Sequence, residues 1–118
     1  MILRISLVAI VLGIAYLSLT PLESITIGND KLSHFIAYGV LMSNVGLLTY
    51  HKTKSFLVGI TLSLAYGALI EVAQYFVPGR FMSGYDMLAN AGGVGFGVLV
   101  TLLFYKPVRK LLKSTGII

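Results

Sequence analysis

The stretch Gly67–Gly97, GALIEVAQYFVPGRFMSGYDMLANAGGVGFG, joins two apolar segments through a short polar break. Glu71 and Gln74 lie near the end of the first segment, and a Pro-Gly-Arg sequence follows. Asp86 and Asn90 lie at the start of the second segment. The whole chain has only 4 acidic residues, so this grouping at one turn marks a candidate functional site.

The composition is typical of an integral membrane protein. Of the 118 residues, 57% are hydrophobic and 11% are charged, and the mean hydropathy is +0.92. Soluble domains average about 45–50% apolar and about 25% charged residues. The chain has no cysteine, which excludes disulfides, thiol nucleophiles and cysteine metal sites. Its net charge of +5 fits basic loops beside membrane spans, and no nucleic-acid-binding pattern is present, so we expect no nucleic-acid partner.

The chain contains four apolar runs, which are Ile5–Thr20, Leu32–Tyr50, Ser55–Val77 and Gly84–Tyr105. The first run is short for a span of about 20 residues, and a signal peptide is the alternative interpretation. No small-x-small cleavage site follows it, which favours a retained helix. The sequence therefore predicts an all-α, polytopic membrane protein with four transmembrane helices in a single domain over residues 1–118.

The loop charges predict the orientation of these spans. The N-terminus, the loop between the second and third runs, and the C-terminal tail hold 7 of the 9 basic residues. Lys31 and Arg80 lie on the opposite side, together with all 4 acidic residues. Because basic residues concentrate on the cytoplasmic side, we expect both termini in the cytoplasm and the acid-bearing turns outside.

Small residues recur every four positions on two spans, as Gly59, Ser63 and Gly67 on the third and Ala89, Gly93 and Gly97 on the fourth. Such rows let helix backbones approach closely in lipid. They would serve either a hairpin of the third and fourth spans or contacts between copies of the chain in a homo-oligomer. In the hairpin, Glu71 and Asn90 would lie at similar depth.

Polar side chains at helical spacing lie near one end of three spans: Lys31, His34 and Tyr38 on the second, Glu71, Gln74 and Pro78 on the third, and Asp86 and Asn90 on the fourth. Three such faces can be buried only against one another. A carboxylate at the depth of Glu71 costs on the order of 2–3 kcal/mol, so it should have a partner. Arg80, Lys31 and His34 are the available partners.

These residue types suggest a site for an anionic or amide-bearing ligand. The candidate catalytic residues are His34, Glu71 and Asp86. The candidate ligand-binding residues are Asp30, Lys31, Tyr38, Gln74, Arg80, Ser83 and Asn90. Lys31 and Arg80 would hold an anionic headgroup. His34, with an unperturbed pKa near 6.5, would exchange a proton, and Glu71 or Asp86 would orient that histidine or act as a base.

Other interpretations stay open at this point. Glu71 and Arg80 would form a structural ion pair in a non-enzymatic membrane module, and Asp30 and Asp86 would be helix caps. A small transporter subunit would have to oligomerise, and no polar face continues into the cytoplasmic halves of the spans. A divalent metal held by Asp30, His34, Glu71 and Asp86 is a further alternative. These ligands have no recognised metal spacing, so we expect neither metal nor cofactor.

Two spaced motifs, Asp30-Lys31-x-x-His34-x-x-x-Tyr38 and Glu71-x-x-Gln74-x-x-x-Pro78-Gly79-Arg80-x-x-Ser83-x-x-Asp86-x-x-x-Asn90-x-x-Gly93-x-x-x-Gly97, resemble those of the VanZ-like family of small bacterial membrane proteins. The resemblance implies a multi-pass protein of the bacterial cytoplasmic membrane. The family takes its name from a protein associated with resistance to the glycopeptide teicoplanin. The expected partner is therefore a membrane lipid or a cell-envelope precursor.

Overall fold

The structure, a computed structural model, describes residues 2–19, 30–77 and 84–116, without the side chains of Asp30 and Lys31. It contains four helices: α1 (Ile2–Leu19), α2 (Asp30–Thr49), α3 (Thr53–Gln74) and α4 (Gly84–Ser114). The described ranges contain no β-strand. All four helices are long and apolar enough to cross a membrane. The predicted all-α fold with four transmembrane helices is confirmed, and the chain is a multi-pass membrane protein.

Helix α2 lies at the centre of the bundle. It packs against each of the other three helices, most extensively against α4. Helices α1 and α4 do not approach each other closely along the backbone in the described ranges. Because α2 and α4 begin at the end where α1 and α3 finish, the polar residues predicted on the second, third and fourth spans share one end of the bundle. We call this the polar end and the opposite one the basic end.

Glycines on α4 set the close approach of α2. A Cβ at Gly97 would lie 2.6 Å from the Cβ of Met42 and 2.8 Å from the carbonyl oxygen of Gly39. A Cβ at Gly93 would meet the carbonyl oxygen of Phe35. These contacts leave no room for a side chain, which is the packing that small residues permit in lipid.

The small-residue rows of α3 and α4 do not pack against each other, as a hairpin of these spans would require. The row on α4 packs on α2, and Gly59 of α3 faces Val45 of α2, whose Cγ1 would be 2.6 Å from a Cβ at Gly59. Gly67 of α3 faces both Tyr38 of α2 and Asn90 of α4. Both rows are therefore used inside one chain, with α2 as their main partner.

Helix α4 runs past the predicted end of its span. It continues through Pro107 to Ser114, which makes 31 residues, or about 46 Å at about 1.5 Å per residue. A bilayer core is about 30 Å thick, so the last turns extend beyond the hydrocarbon.

The basic end is held together by aromatic rings and one arginine. The Tyr50 ring packs on Phe56 and on Tyr105, with centroids 5.2 and 4.7 Å away. Arg109 donates from Nη1 to the carbonyl oxygen of Leu47 at 3.1 Å. This bond satisfies one of the last α2 carbonyls, which have no partner within the helix.

We predict that Gly97→Ala destabilises the fold by about 1–3 kcal/mol, because its Cβ would force α2 and α4 apart. Gly95→Ala is the matched control, since a Cβ at Gly95 has nothing within 4 Å. The measurement is the free energy of unfolding of each purified variant in detergent, from a denaturant titration followed by circular dichroism. Equal stabilities of the two variants would contradict the close α2–α4 packing.

Candidate functional site

Six polar side chains are buried together at the polar end, and we call them the polar cluster. Its members are His34 and Tyr38 of α2, Glu71 and Gln74 of α3, and Asp86 and Asn90 of α4. None is more than 7% exposed, and Glu71 is fully buried at 0%. Large apolar side chains lie on the outside instead, such as Leu69 at 70% exposed. The polar residues predicted on three helices are thus enclosed at a single end of the bundle.

Asn90 connects the cluster across all three helices. Its Oδ1 lies 2.7 Å from Nδ1 of His34 on α2. Its Nδ2 donates to the carbonyl oxygen of Gly67 on α3 at 3.4 Å. Since the amide nitrogen faces a carbonyl oxygen, the amide oxygen faces the histidine, and Nδ1 of His34 is therefore the donor. In the neutral ring, this places the lone pair on Nε2.

Gly67 makes this arrangement sterically possible. A Cβ at Gly67 would lie 3.2 Å from the Tyr38 ring and 3.3 Å from the Cβ of Asn90. The absence of a side chain there brings the phenol of α2 and the amide of α4 against the α3 backbone. The Tyr38 hydroxyl is also within electrostatic range of the Glu71 carboxylate, one helical turn after Gly67.

Gln74 extends the cluster to α1. Its Nε2 donates to the carbonyl oxygen of Ser18 at 3.0 Å, near the end of α1. Ser18 is one of the last residues of that helix, where carbonyl groups lack helical donors. All four helices therefore contribute to the polar end.

Some buried atoms of the cluster make no hydrogen bond with the part of the chain that the structure describes, and two of them lie on residues with neutral side chains. They are the hydroxyl of Tyr38 and the Oε1 atom of Gln74. Buried polar atoms are nearly always hydrogen-bonded in folded proteins. The phenol hydroxyl can donate a hydrogen bond to a further partner, and the amide oxygen can accept one from it.

Glu71 lies nearer to the end of its helix than the sequence suggested. Helix α3 ends at Gln74, three residues before the end of the predicted run. The chain then continues to Val77 in tighter turns, with hydrogen bonds from Tyr75 to Val72 and from Phe76 to Ala73. Glu71 is therefore three residues, or about 4.5 Å, from the helix end, whereas it is six residues from the end of the predicted run.

Four predicted site residues cannot be placed in the cluster. Arg80 and Ser83 lie outside the described residues, so the predicted Glu71–Arg80 ion pair does too. Helix α2 begins at Asp30, but the side chains of Asp30 and Lys31 are also outside them. Over the described residues, no three histidine or acidic side chains form a group that could hold a metal ion.

The sequence did not indicate two contributors to this end. The Tyr66 ring lies against Tyr38, with centroids 6.2 Å apart, and the Tyr66 hydroxyl donates to the carbonyl oxygen of Val11 at 2.5 Å. The Ser18 carbonyl is a backbone group that no side-chain pattern marks. Tyr66 has a sequence signal, because it precedes Ile70 and Gln74 at successive intervals of four residues.

A small cavity approaches the cluster from the side. It has a volume of about 190 Å³ and lies between α3 and α4, where Ser63, Ala68, Met87 and Asn90 are among its lining residues. Its position allows Asn90 to be reached from the membrane.

We predict that Asn90 fixes the tautomer of His34. The chain has only two histidines, so a His51→Gln background gives a single imidazole signal. In this background, ¹⁵N NMR of the neutral ring should show the proton on Nδ1. Asn90→Leu removes the acceptor and should shift the population toward the Nε2–H form.

Asn44→Leu is the control for this experiment, because Asn44 lies nearer the basic end of α2 and its Nδ2 donates to the Ser6 hydroxyl at 2.6 Å. It should leave the His34 spectrum unchanged. A proton on Nε2 in the background protein, unaffected by Asn90→Leu, would refute the assigned hydrogen bond.

Comparison with known proteins agrees with the resemblance seen in the sequence. The model of the VanZ/LLP1 family matches residues 4–105. No curated protein and no solved structure is detectably similar to the chain. The family match spans most of the chain, including the polar cluster and the apolar part of every helix. The protein therefore belongs to the VanZ/LLP1 family.

Proposed function

We propose that this protein is a cell-envelope membrane protein that binds an anionic envelope component at its polar end, either a lipid headgroup or a peptidoglycan precursor. The observation that carries the proposal is the burial of the whole polar cluster at one end. Lys31 and Arg80, which the sequence places at the same end, would supply the positive charge. The loop charges favour an orientation with this end outside the cytoplasmic membrane and both termini in the cytoplasm.

The energetic cost of the cluster supports a functional role. Desolvating an ionisable group in a membrane protein is costly even where it has polar partners, and such groups usually mark functional sites. Glu71, Asp86 and His34 are all buried at this end. Close helix packing alone is already provided by Gly93 and Gly97. Three ionisable groups exceed what packing of the bundle requires.

Two helix N-termini at the polar end would favour an anionic ligand. Helices α2 and α4 both begin at the polar end. The N-terminus of a helix carries a partial positive charge and backbone N–H groups that favour negative ligands. Arg80 is suited to bidentate contact with phosphate or carboxylate. The free hydrogen-bonding capacity of Tyr38 and Gln74 suits a ligand that also carries hydroxyl or amide groups. The family's association with glycopeptide resistance is consistent with a ligand from the cell envelope.

An enzymatic version of the proposal adds proton transfer to binding. With Nδ1 of His34 donating to Asn90, Nε2 is the atom that would take a proton from the ligand. Glu71 and Asp86 are the nearby acids in this version. It requires that His34 and Glu71 matter for turnover as well as for affinity.

A non-enzymatic structural module is the second candidate. The observation in its favour is that the hydrogen bonds of Asn90 and Gln74 each join two helices. In this candidate the cluster holds the helices in register and has no ligand. The third alternative, a transporter subunit, gains no such support. Between the polar cluster and the basic end, the described core is apolar and consists of residues such as Ile14, Met42 and Val94.

We predict that native mass spectrometry of protein released gently from its own membrane shows a discrete bound molecule. Arg80→Ala should remove this adduct, because it loses the bidentate anion contact. Arg4→Ala is the matched control, since it removes the same charge at the basic end, where Arg4 is exposed. The adduct mass distinguishes a lipid from a peptidoglycan precursor.

Two further variants separate the candidates. His34→Gln and Glu71→Gln should keep the adduct but stop its conversion over time if the protein is an enzyme. If it is only a binder, the adduct never changes in the unmodified protein. An adduct that is absent from the unmodified protein, or equally present in Arg80→Ala, would overturn the proposed binding site and favour the structural module.

A further inference from the structure

A long groove runs along the bundle in the half that faces the basic end. Its volume is about 660 Å³, and residues of α1, α2 and α3 line it. The walls are mainly apolar, with Leu7 and Val11 on α1, Val45 on α2, and Val58 and Leu62 on α3. The groove is separate from the polar cluster, and none of the six cluster residues lines it.

Small residues and one hydrogen bond define the shape of the groove. Gly59 and Ser63 lie on the α3 wall, where larger side chains would fill the space. Tyr66 is the lining residue nearest the polar end of α3, and its hydroxyl donates to the carbonyl oxygen of Val11. This bond joins α1 to α3 and closes the inner end of the groove. The same ring packs on Tyr38 and thus separates the groove from the polar cluster.

The length of the groove matches one leaflet of a bilayer. The α3 lining runs from Lys54 to Tyr66, which corresponds to about 18 Å at about 1.5 Å per residue. Half of a hydrocarbon core is about 15 Å.

The mouth of the groove carries positive charge. Lys54, in the first turn of α3, lines it and is exposed, and Lys52, just before the helix, is also exposed. The described chain has no acidic residue at this end, because Glu71 and Asp86 are both in the polar cluster. An occupant with an apolar chain and an anionic head complements both parts of the groove.

We propose that this groove binds an anionic phospholipid, with one acyl chain along α3 and the phosphate at Lys54. The lipid belongs to the leaflet at the basic end of the bundle. It fills the space between α1 and α3 that these helices do not close by direct packing. This lipid site is independent of the function proposed for the polar cluster.

The test uses the full chain in phosphatidylcholine vesicles that contain a small fraction of photoactivatable lipid. The probe has a diazirine near the end of one acyl chain and either a phosphatidylglycerol or a phosphatidylcholine headgroup. Irradiation followed by mass spectrometry of the fragments locates the label. We expect the phosphatidylglycerol probe to label the inner end of the groove, at Val11 and Tyr66, about fivefold more than the phosphatidylcholine probe.

Lys54→Gln should remove this headgroup preference and leave labelling by the phosphatidylcholine probe unchanged. Lys110→Gln is the matched control, since Lys110 is also exposed at the basic end but is not part of the groove. Leu62→Trp should lower labelling of the inner end by both probes, because it narrows the groove from its wall.

Three results would overturn the proposal. Equal labelling of the inner end by the two probes would show that the headgroup is not recognised. Equal labelling of the groove and of the exposed α4 surface around Leu103 would show that the acyl chain has no site. Cross-linking of two copies of the chain through Val58 would show that a second protein occupies the groove.

Discussion

The fold depends on the close approach of α2 and α4 at Gly93 and Gly97. In lipid, helices gain nothing by hiding apolar surface from water, so backbone contact and polar bonds must hold them together. The missing side chains at these glycines bring α4 within reach of the α2 backbone. One turn before Gly93, Asn90 then meets His34 at hydrogen-bond distance. A packing constraint therefore determines the geometry of the polar cluster.

The polar cluster and the packing of the helices are physically linked, and this bears on how mutations should be interpreted. Asn90 binds both a histidine and the α3 backbone, so its removal would affect stability and chemistry together. His34 and Glu71 differ from it, because a glutamine keeps much of the size and hydrogen bonding of each while changing its acid–base behaviour. Loss of function in these two conservative variants is more informative than loss of function at Asn90.

Much of the fold followed from the sequence, because hydrophobic runs and helical spacing report directly on membrane helices. The polar faces of three spans also predicted six side chains that are indeed buried at one end. Helix partners were harder to predict. Rows of small residues show that a face packs closely but not against which helix, and so Gly93 and Gly97 gave no sign that α2 is their partner. Local spacing places Tyr66 on the same face of α3 as Gln74, but it could not reveal the bond from Tyr66 to Val11 or the bond from Gln74 to the Ser18 carbonyl, which join residues 55 and 56 positions apart.

Tyr66 lies between the polar half of the bundle, which holds the polar cluster, and the half that holds the apolar groove. On one side its ring packs on Tyr38, a member of the polar cluster. On the other side it closes the apolar groove by bonding to the α1 backbone. Because α1 and α4 do not approach closely, α1 is held mainly through α2 and through this bond to α3. An occupant of the groove would therefore contact the Tyr66 ring, which lies against Tyr38 at an interplanar angle of 45°, so the polar half and the apolar half of the bundle meet at this pair of tilted rings.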